Sequence, residues 1–265
     1  MKAEPRLAPF RPLPVLDGAF RAIAGVPIAD ARAADVVAHL EAMLEAGAVQ
    51  RLAFLNAHCV NVARRDDAYR RVLTRFLVLP DGIGVDLGAL ILHGAPYTEN
   101  LNGTDFVPRL LAEIAPGRRV ALVGGRPGVA ERAGLALRRL CPGHTIEAVS
   151  DGYFDAEARG ALLARLAAFR ADIVLVALGV PGQETFIDTW LDERHGRLFI
   201  GVGALFDFLA GEVPRAPALV RRLRLEWAFR LSMEPGRLFR RYVLGNPAFL
   251  LAVLRERRAL WRGRA

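Results

Sequence analysis

Apolar residues recur along this chain in two rhythms. Continuous apolar runs occupy 51–56 (RLAFLN), 75–81 (RFLVLPD), 118–125 (RRVALVGG), 145–149 (TIEAV), 171–179 (ADIVLVALG) and 196–203 (GRLFIGVG). They do not alternate with polar residues, which is the pattern of strands covered on both faces of a parallel sheet. Between and around them, helical spacing predicts helices over 31–47, 57–74, 82–93, 104–115, 127–140, 156–170 and 183–194. Asp155 is placed to cap the helix over 156–170, and Pro127 and Pro181 stand near helix starts, where a missing N–H costs little. This alternation predicts an α/β fold: a Rossmann-like, doubly wound, mostly parallel sheet with right-handed crossovers. Ligands of such sheets bind beyond the C-terminal ends of the strands. Chemistry is therefore sought in the residues just after each strand.

After Gly211 the rhythm changes. Leu219, Leu223, Trp227, Leu231, Leu238, Phe239 and Tyr242 fall at helical spacing, with arginines on most other faces. Short helices are expected, broken at Pro235–Gly236 and at Asn246–Pro247. Charge sharpens the boundary. From Val213 to Ala265 there are 13 arginines against three glutamates, a net +10, while the rest of the chain carries −2. The expected organisation is a Pro-rich N-terminal arm (1–24), an α/β body (25–212) and a basic amphipathic helical appendage (213–265). A basic amphipathic helix suits an anionic membrane surface, a nucleic acid or a phosphorylated ligand.

Composition narrows the class. With 265 residues, 53% hydrophobic and 24% charged, the chain has ample material for a core. Two cysteines, Cys59 and Cys141, make neither a disulfide framework nor a zinc motif, so a reduced cytoplasmic setting is the default. The N-terminal stretch lacks the apolar region of a signal peptide. No apolar run approaches the ~20 residues that cross a bilayer.

Each strand end carries a candidate, and each has a plainer reading. Asp81 follows the second strand in LPDGIG, where a carboxylate would reach the binding edge; an Asp-Gly turn explains the same residues. In ENLNGTD, Thr104 or Asp105 would cap a helix whose amides could hold an anion. Gly124 and Gly125 form a strand–Gly-Gly–helix turn suited to phosphate, yet match no established fingerprint. Gln183 and Glu184 open a helix after the longest apolar strand, and Gly201, Gly203 and Asp207 follow the last one. His39, His58, His93, His144 and His195 are scattered, and the H-E-x-x-H, C-x-x-C, G-x-S-x-G and D-x-D patterns are missing. Neither a metal nor a cofactor is expected.

Together the strings are more specific than any alone. N-A-x-x-V-N, P-D-G-x-G, E-x-x-x-G-x-D, L-x-G-G, D-G-Y-F, A-L-G-x-P-x-Q-E, G-V-G-x-x-F-D-x-x-A-G and R-A-P occur in this order, then L-E-W-x-x-R-L, E-P-x-R and R-Y. Over roughly 25–254 the chain resembles the WecG/TagA/CpsF family of bacterial glycosyltransferases (glycosyltransferase family 26). The resemblance implies a metal-independent, inverting transfer of a sugar from a UDP-sugar to a polyprenyl-diphosphate-linked saccharide. It implies a peripheral enzyme at the inner face of the cytoplasmic membrane, serving cell-surface polysaccharide synthesis. By the same resemblance Asp81 is the base, Asn56 and Gln183 lie near the sugar, and the appendage closes the site and docks on lipid. Two positions depart from the family pattern: Phe54 stands where a Thr is common and Asn100 where an Arg is usual. That departure points to a neutral hexose such as glucose as donor, with N-acetylmannosamine-type sugars as the alternative.

Physical chemistry adds the anion sites. A leaving UDP without a metal needs helix N-termini and arginines to meet its charge. Arg215, Arg230, Arg237 and Arg240 are the expected contributors, and Trp227, Phe239, Tyr242 and Trp261 the expected headgroup anchors. Apolar helix faces could also pair subunits into a homo-oligomer. A nucleotide-dependent oxidoreductase lacks its glycine fingerprint here. A nucleic-acid binder would use the same arginines, but no RNA module accompanies them, and no nucleic-acid partner is expected.

Overall fold

The computed structural model describes residues 20–217, 219–220 and 225–262. The chain begins there with a hairpin, β1 (Phe20–Ile23) and β2 (Val26–Ala29), turned by Ala24 and Gly25, both in the left-handed region. The arm expected over 1–24 thus ends in a strand, with Ile23 fully buried, while 1–19 lie outside the described residues. A four-residue strand with one buried side chain is too short for hydrophobic rhythm to mark.

The body then runs α1 (Ala33–Glu45), β3 (Gln50–Leu55), α2 (Ala57–Ala63), α3 (Asp67–Leu73), β4 (Leu77–Pro80), α4 (Ile83–His93), α5 (Gly103–Glu113), β5 (Arg119–Gly124), α6 (Val129–Leu140), β6 (Thr145–Ser150), α7 (Ala156–Phe169), β7 (Ile173–Ala177), α8 (Gly182–Trp190), β8 (Leu198–Gly201) and α9 (Leu205–Leu209). All six expected strands form one wholly parallel sheet in the order β4-β3-β8-β7-β5-β6. The helix expected over 57–74 is two, because the Asp66 side chain accepts from Tyr69 N–H and starts a new one.

Both faces of the sheet are covered, which is why its strands read as unbroken apolar runs. Leu52, Phe54, Ile173 and Leu175 point into one core with α1, α5 and α6. Ala53, Leu55, Val174 and Val176 point into the other, with α2, α3, α4, α7 and α8. This is the expected Rossmann-like arrangement.

Beyond the body lie α10 (Glu226–Met233), α11 (Pro235–Phe239), a π-helical turn (Arg240–Leu244) and α12 (Gly245–Arg262). The helices break just before Pro235, beside the expected break at Pro235–Gly236, but Asn246–Pro247 does not break one. Pro247 sits in the first turn of α12, and the Gly245 N–H reaches back five residues to the Arg240 carbonyl. A proline ring collides with the carbonyl four residues earlier, and a widened turn accommodates it without ending the helix. Among the described residues no helix is long and apolar enough to cross a membrane.

Candidate active site

β3 and β4 are neighbours with Leu55 paired to Pro80, so the next residue of each strand, Asn56 and Asp81, emerges side by side at the C-terminal edge. Asn56 caps α2. Its Oδ1 accepts from the amides of His58 (3.1 Å) and Cys59 (3.2 Å), which fixes the side chain and turns Nδ2 outward. Nδ2 then donates to Asp81 Oδ2 at 3.2 Å. Gly82 follows with φ +88, a backbone that favours glycine, and its N–H donates to Asn100 Oδ1 at 2.9 Å. The P-D-G-x-G and E-N-L-N-G strings are therefore two halves of one turn.

These residues open into a cavity of about 770 Å³. Its floor is Asn56, His58, Asp81, Gly82, Asn100 and Asp105; its roof comes from Trp227, Arg230, Arg241 and Tyr242. Trp227 and Tyr242 meet edge to face with centroids 6.2 Å apart, and Arg230 lies 5.1 Å over the Phe208 ring. The Nε atoms of Arg230 and Arg241 are buried and have no hydrogen-bond partner among the described residues. The charges of two arginines in the lining suit an anionic ligand.

Burial pushes the Asp81 carboxyl above its ordinary range, while the Asn56 hydrogen bond and the Arg241 and Arg230 charges pull it back. His58 is pushed down to about 4, first by burial and then by Arg241 and Arg65, so its imidazole is neutral at neutral pH.

The other expected residues fall into three groups. Asp105 lines the cavity, but Asn102 rather than Thr104 or Asp105 caps α5, and the Asp105 carboxylate pairs with Arg215. Arg215 and Arg240 are exposed and absent from the cavity lining, and the Arg237 side chain lies outside the described residues. Gln183 is buried: its Oε1 accepts from Gly203 N–H at 3.0 Å and its Nε2 donates to Glu184 at 2.7 Å. It supports the edge of the sheet from behind and does not line the cavity. A side chain at Gly124 would collide with the Ala177 carbonyl, and Gly125 donates its N–H to that carbonyl at 3.0 Å. Gly125 lines a second cavity of about 600 Å³ with Tyr153, Asp207 and Glu212.

Sequence reasoning missed Arg241 and His58. Adjacent arginines at 240 and 241 cannot be told apart by helical period, least of all where a π turn shifts the phase. Phe54 turns away from the cavity, packing on Phe106 (6.1 Å between centroids) and over Gly103, where a Cβ would lie 2.8 Å from its ring. Trp227 and Tyr242 face the cavity; Phe239 and Trp261 are exposed. Among the described residues no three His, Cys, Asp or Glu side chains group to hold a metal ion.

A carboxylate at the mouth of a parallel sheet, beneath Arg230 and Arg241, is an arrangement suited to group transfer involving anionic molecules. The chain belongs to the glycosyl transferase WecG/TagA/CpsF family, whose model matches residues 21–263, and it is a glycosyltransferase. It is 34% identical over 199 residues to an N-acetylglucosaminyldiphosphoundecaprenol N-acetyl-beta-D-mannosaminyltransferase of Bacillus spizizenii, covering 74% of this chain and 76% of that protein.

Proposed function

We propose that the enzyme transfers an N-acetylmannosamine-type sugar from its UDP donor to a polyprenyl-diphosphate-linked N-acetylglucosamine, with inversion and without a metal. The observation that carries this reading is Asp81, half-buried, oriented by Asn56 and roofed by Arg230 and Arg241. Inversion needs a base to take the acceptor hydroxyl proton as that oxygen attacks the anomeric carbon opposite the leaving UDP. Desolvation strengthens Asp81 as a base, and its carboxylate is held by the Asn56 amide, whereas that of Asp105 pairs with Arg215. As the glycosidic bond to UDP breaks, charge grows on the diphosphate, and Arg230 and Arg241 in the cavity lining are where it is met.

Support for an acetamido sugar comes from the mannosaminyltransferase relative and from Asn100. The hexose reading treated Asn100 as a replaced donor-sugar contact, but its oxygen holds the Gly82 amide and so shapes the Asp81 turn. A membrane role rests on α12. Leu251, Leu254 and Trp261 form an exposed, mostly apolar stripe opposite its buried residues Phe249, Ala252 and Val253, with Arg258 within it and Arg255 beside it. That pattern suits a peripheral protein on anionic lipid.

The test is a panel of UDP-sugars with a synthetic lipid-diphosphate N-acetylglucosamine, with and without chelator. Turnover is expected with UDP-N-acetylmannosamine and is expected to survive chelation. Turnover with UDP-glucose alone would reinstate the hexose.

A further inference from the structure

Helices α4 and α12 leave the active-site cavity together. Ile83 and Gly84 at the start of α4 line it, and so do Asn246 and Pro247 at the start of α12. Further out the Phe249 ring closes on Gly88, and further still Arg257 donates to the Ile91 carbonyl at 2.7 Å. These contacts advance along both helices, so the pair runs outward side by side. Leu87 and Leu250, one from each helix, line the cavity. A turn beyond them, at i+3 and i+4 on the same faces, stand Leu90 and Leu254, 45% and 44% exposed. The cavity is thus lined unevenly. Asn56, Asp81 and Arg241 make part of its lining polar, whereas leucines line it where α4 and α12 depart and continue outside it.

We infer that the leucine track along α4 and α12 is the subsite for the isoprenoid units that follow the diphosphate of the lipid-linked acceptor. The inference rests on the reading that such an acceptor is the substrate. That molecule is polar at its sugar diphosphate and apolar beyond. With its hydroxyl at Asp81 and its charge beside the arginines, its chain must leave the cavity on some side. Leaving over Asn102, Thr104 and Asp105 would strip water from polar groups and give nothing in return. Leaving over Leu87 and Leu90 takes apolar surface of both chain and protein out of water, which is favourable and needs no directional contact. The far end of the track fits a chain anchored in lipid. Leu254 is shared with the outward stripe of α12, so the track joins the cavity to the side that suits a bilayer. A bilayer surface by itself needs no leucines inside the cavity, and Leu87 and Leu250 are there.

The experiment measures kcat and KM, without vesicles or detergent, for two N-acetylglucosamine diphosphates, one carrying a farnesyl and the other a methyl group. UDP-N-acetylmannosamine is the donor. Wild type is expected to show a KM about tenfold lower for the farnesyl compound, the scale of one leucine-sized group buried. In L90S the ratio of the two KM values is expected to fall toward one. L140S removes an exposed leucine from α6 and is expected to keep the wild-type ratio. Because each ratio is taken within one variant, it does not depend on how much of that variant is folded. A wild-type ratio near one, or a ratio that L90S leaves unmoved, would overturn the inference. With the ratio unmoved, weaker binding of L90S to phosphatidylglycerol vesicles would give the leucines to the bilayer, and a smaller sedimenting species would give them to a second copy. Wild type that turns over neither compound would overturn the proposed reaction, and the inference would fall with it.

Discussion

Phe249 of α12 closes its ring onto Gly88 of α4 so tightly that a Cβ at Gly88 would stand 2.9 Å from Cζ and 3.0 Å from Ile23 Cδ1. The last helix, the fourth helix and the first hairpin thus share one joint. Glu256 strengthens it by accepting from the Ala24 amide at 3.1 Å, and Asn61 Nδ2 donates to the Gly245 carbonyl at 2.7 Å. The residues after 212 are therefore not uniform: α12 is built into the core, whereas α10 buries no residue fully. Replacing Phe249 with Ala is expected to lower stability by about 3–5 kcal/mol, read as a shift of the urea midpoint. Removing 245–262 is expected to unfold the body, so loss of activity on truncation would say nothing about catalysis.

The roof is better probed by side chains. Arg241 lines the cavity with an unpaired buried Nε, while its neighbour Arg240 points to solvent. R241A is expected to reduce kcat/KM for the UDP-sugar by roughly 10- to 100-fold, the size of a lost hydrogen bond to a charged group. R240A is expected to stay within about twofold, since an exposed charge is screened. Equal effects from the two variants would remove Arg241 from the site.

The difference between those two arginines marks the limit of what the chain discloses by itself. All six sheet strands were legible, because a doubly covered sheet needs unbroken apolar runs, and so was Asp81, because a strand end fixes where a side chain emerges. The β1–β2 hairpin was not, since four residues carry too little periodicity. Gln183 stood at an informative strand end, yet its orientation depends on Gly201 leaving room for it, a Cβ there lying 2.8 Å from Nε2. Strand order was needed to see that. The packing of α3 on α8 joins helices more than a hundred residues apart, and no local spacing announces it.

Glu184 also ties stability to pH. Burial raises its carboxyl from 4.5 to about 7, so the folded state binds this proton more tightly than the unfolded chain does. Stability from this group is full below pH ~4.5, declines as pH rises toward ~7, and is constant above; the shift corresponds to roughly 3 kcal/mol. Denaturant titrations of wild type on either side of that window are expected to show the loss, and E184Q to show less of it. An identical pH slope in E184Q would place the proton elsewhere.

Attachment to lipid is the last consequence of α12. Its core-facing side is set by Phe249, Ala252, Val253 and the Glu256 clasp, which leaves Leu251, Leu254 and Trp261 turned outward, Trp261 78% exposed. A mostly apolar stripe on a helix locked into a rigid joint cannot fold back to hide. Burying three such side chains in an acyl boundary would stabilise attachment by a few kcal/mol, and each nearby arginine adds about 1 kcal/mol against anionic headgroups. Wild type is expected to co-sediment with phosphatidylglycerol vesicles more than with phosphatidylcholine, and less at high salt. A variant with Leu251, Leu254 and Trp261 replaced by Ser should stay in the supernatant yet turn over a water-soluble acceptor analogue normally. These side chains lie outside the cavity, so a matching loss on the soluble acceptor would show that α12 serves the site and not the membrane.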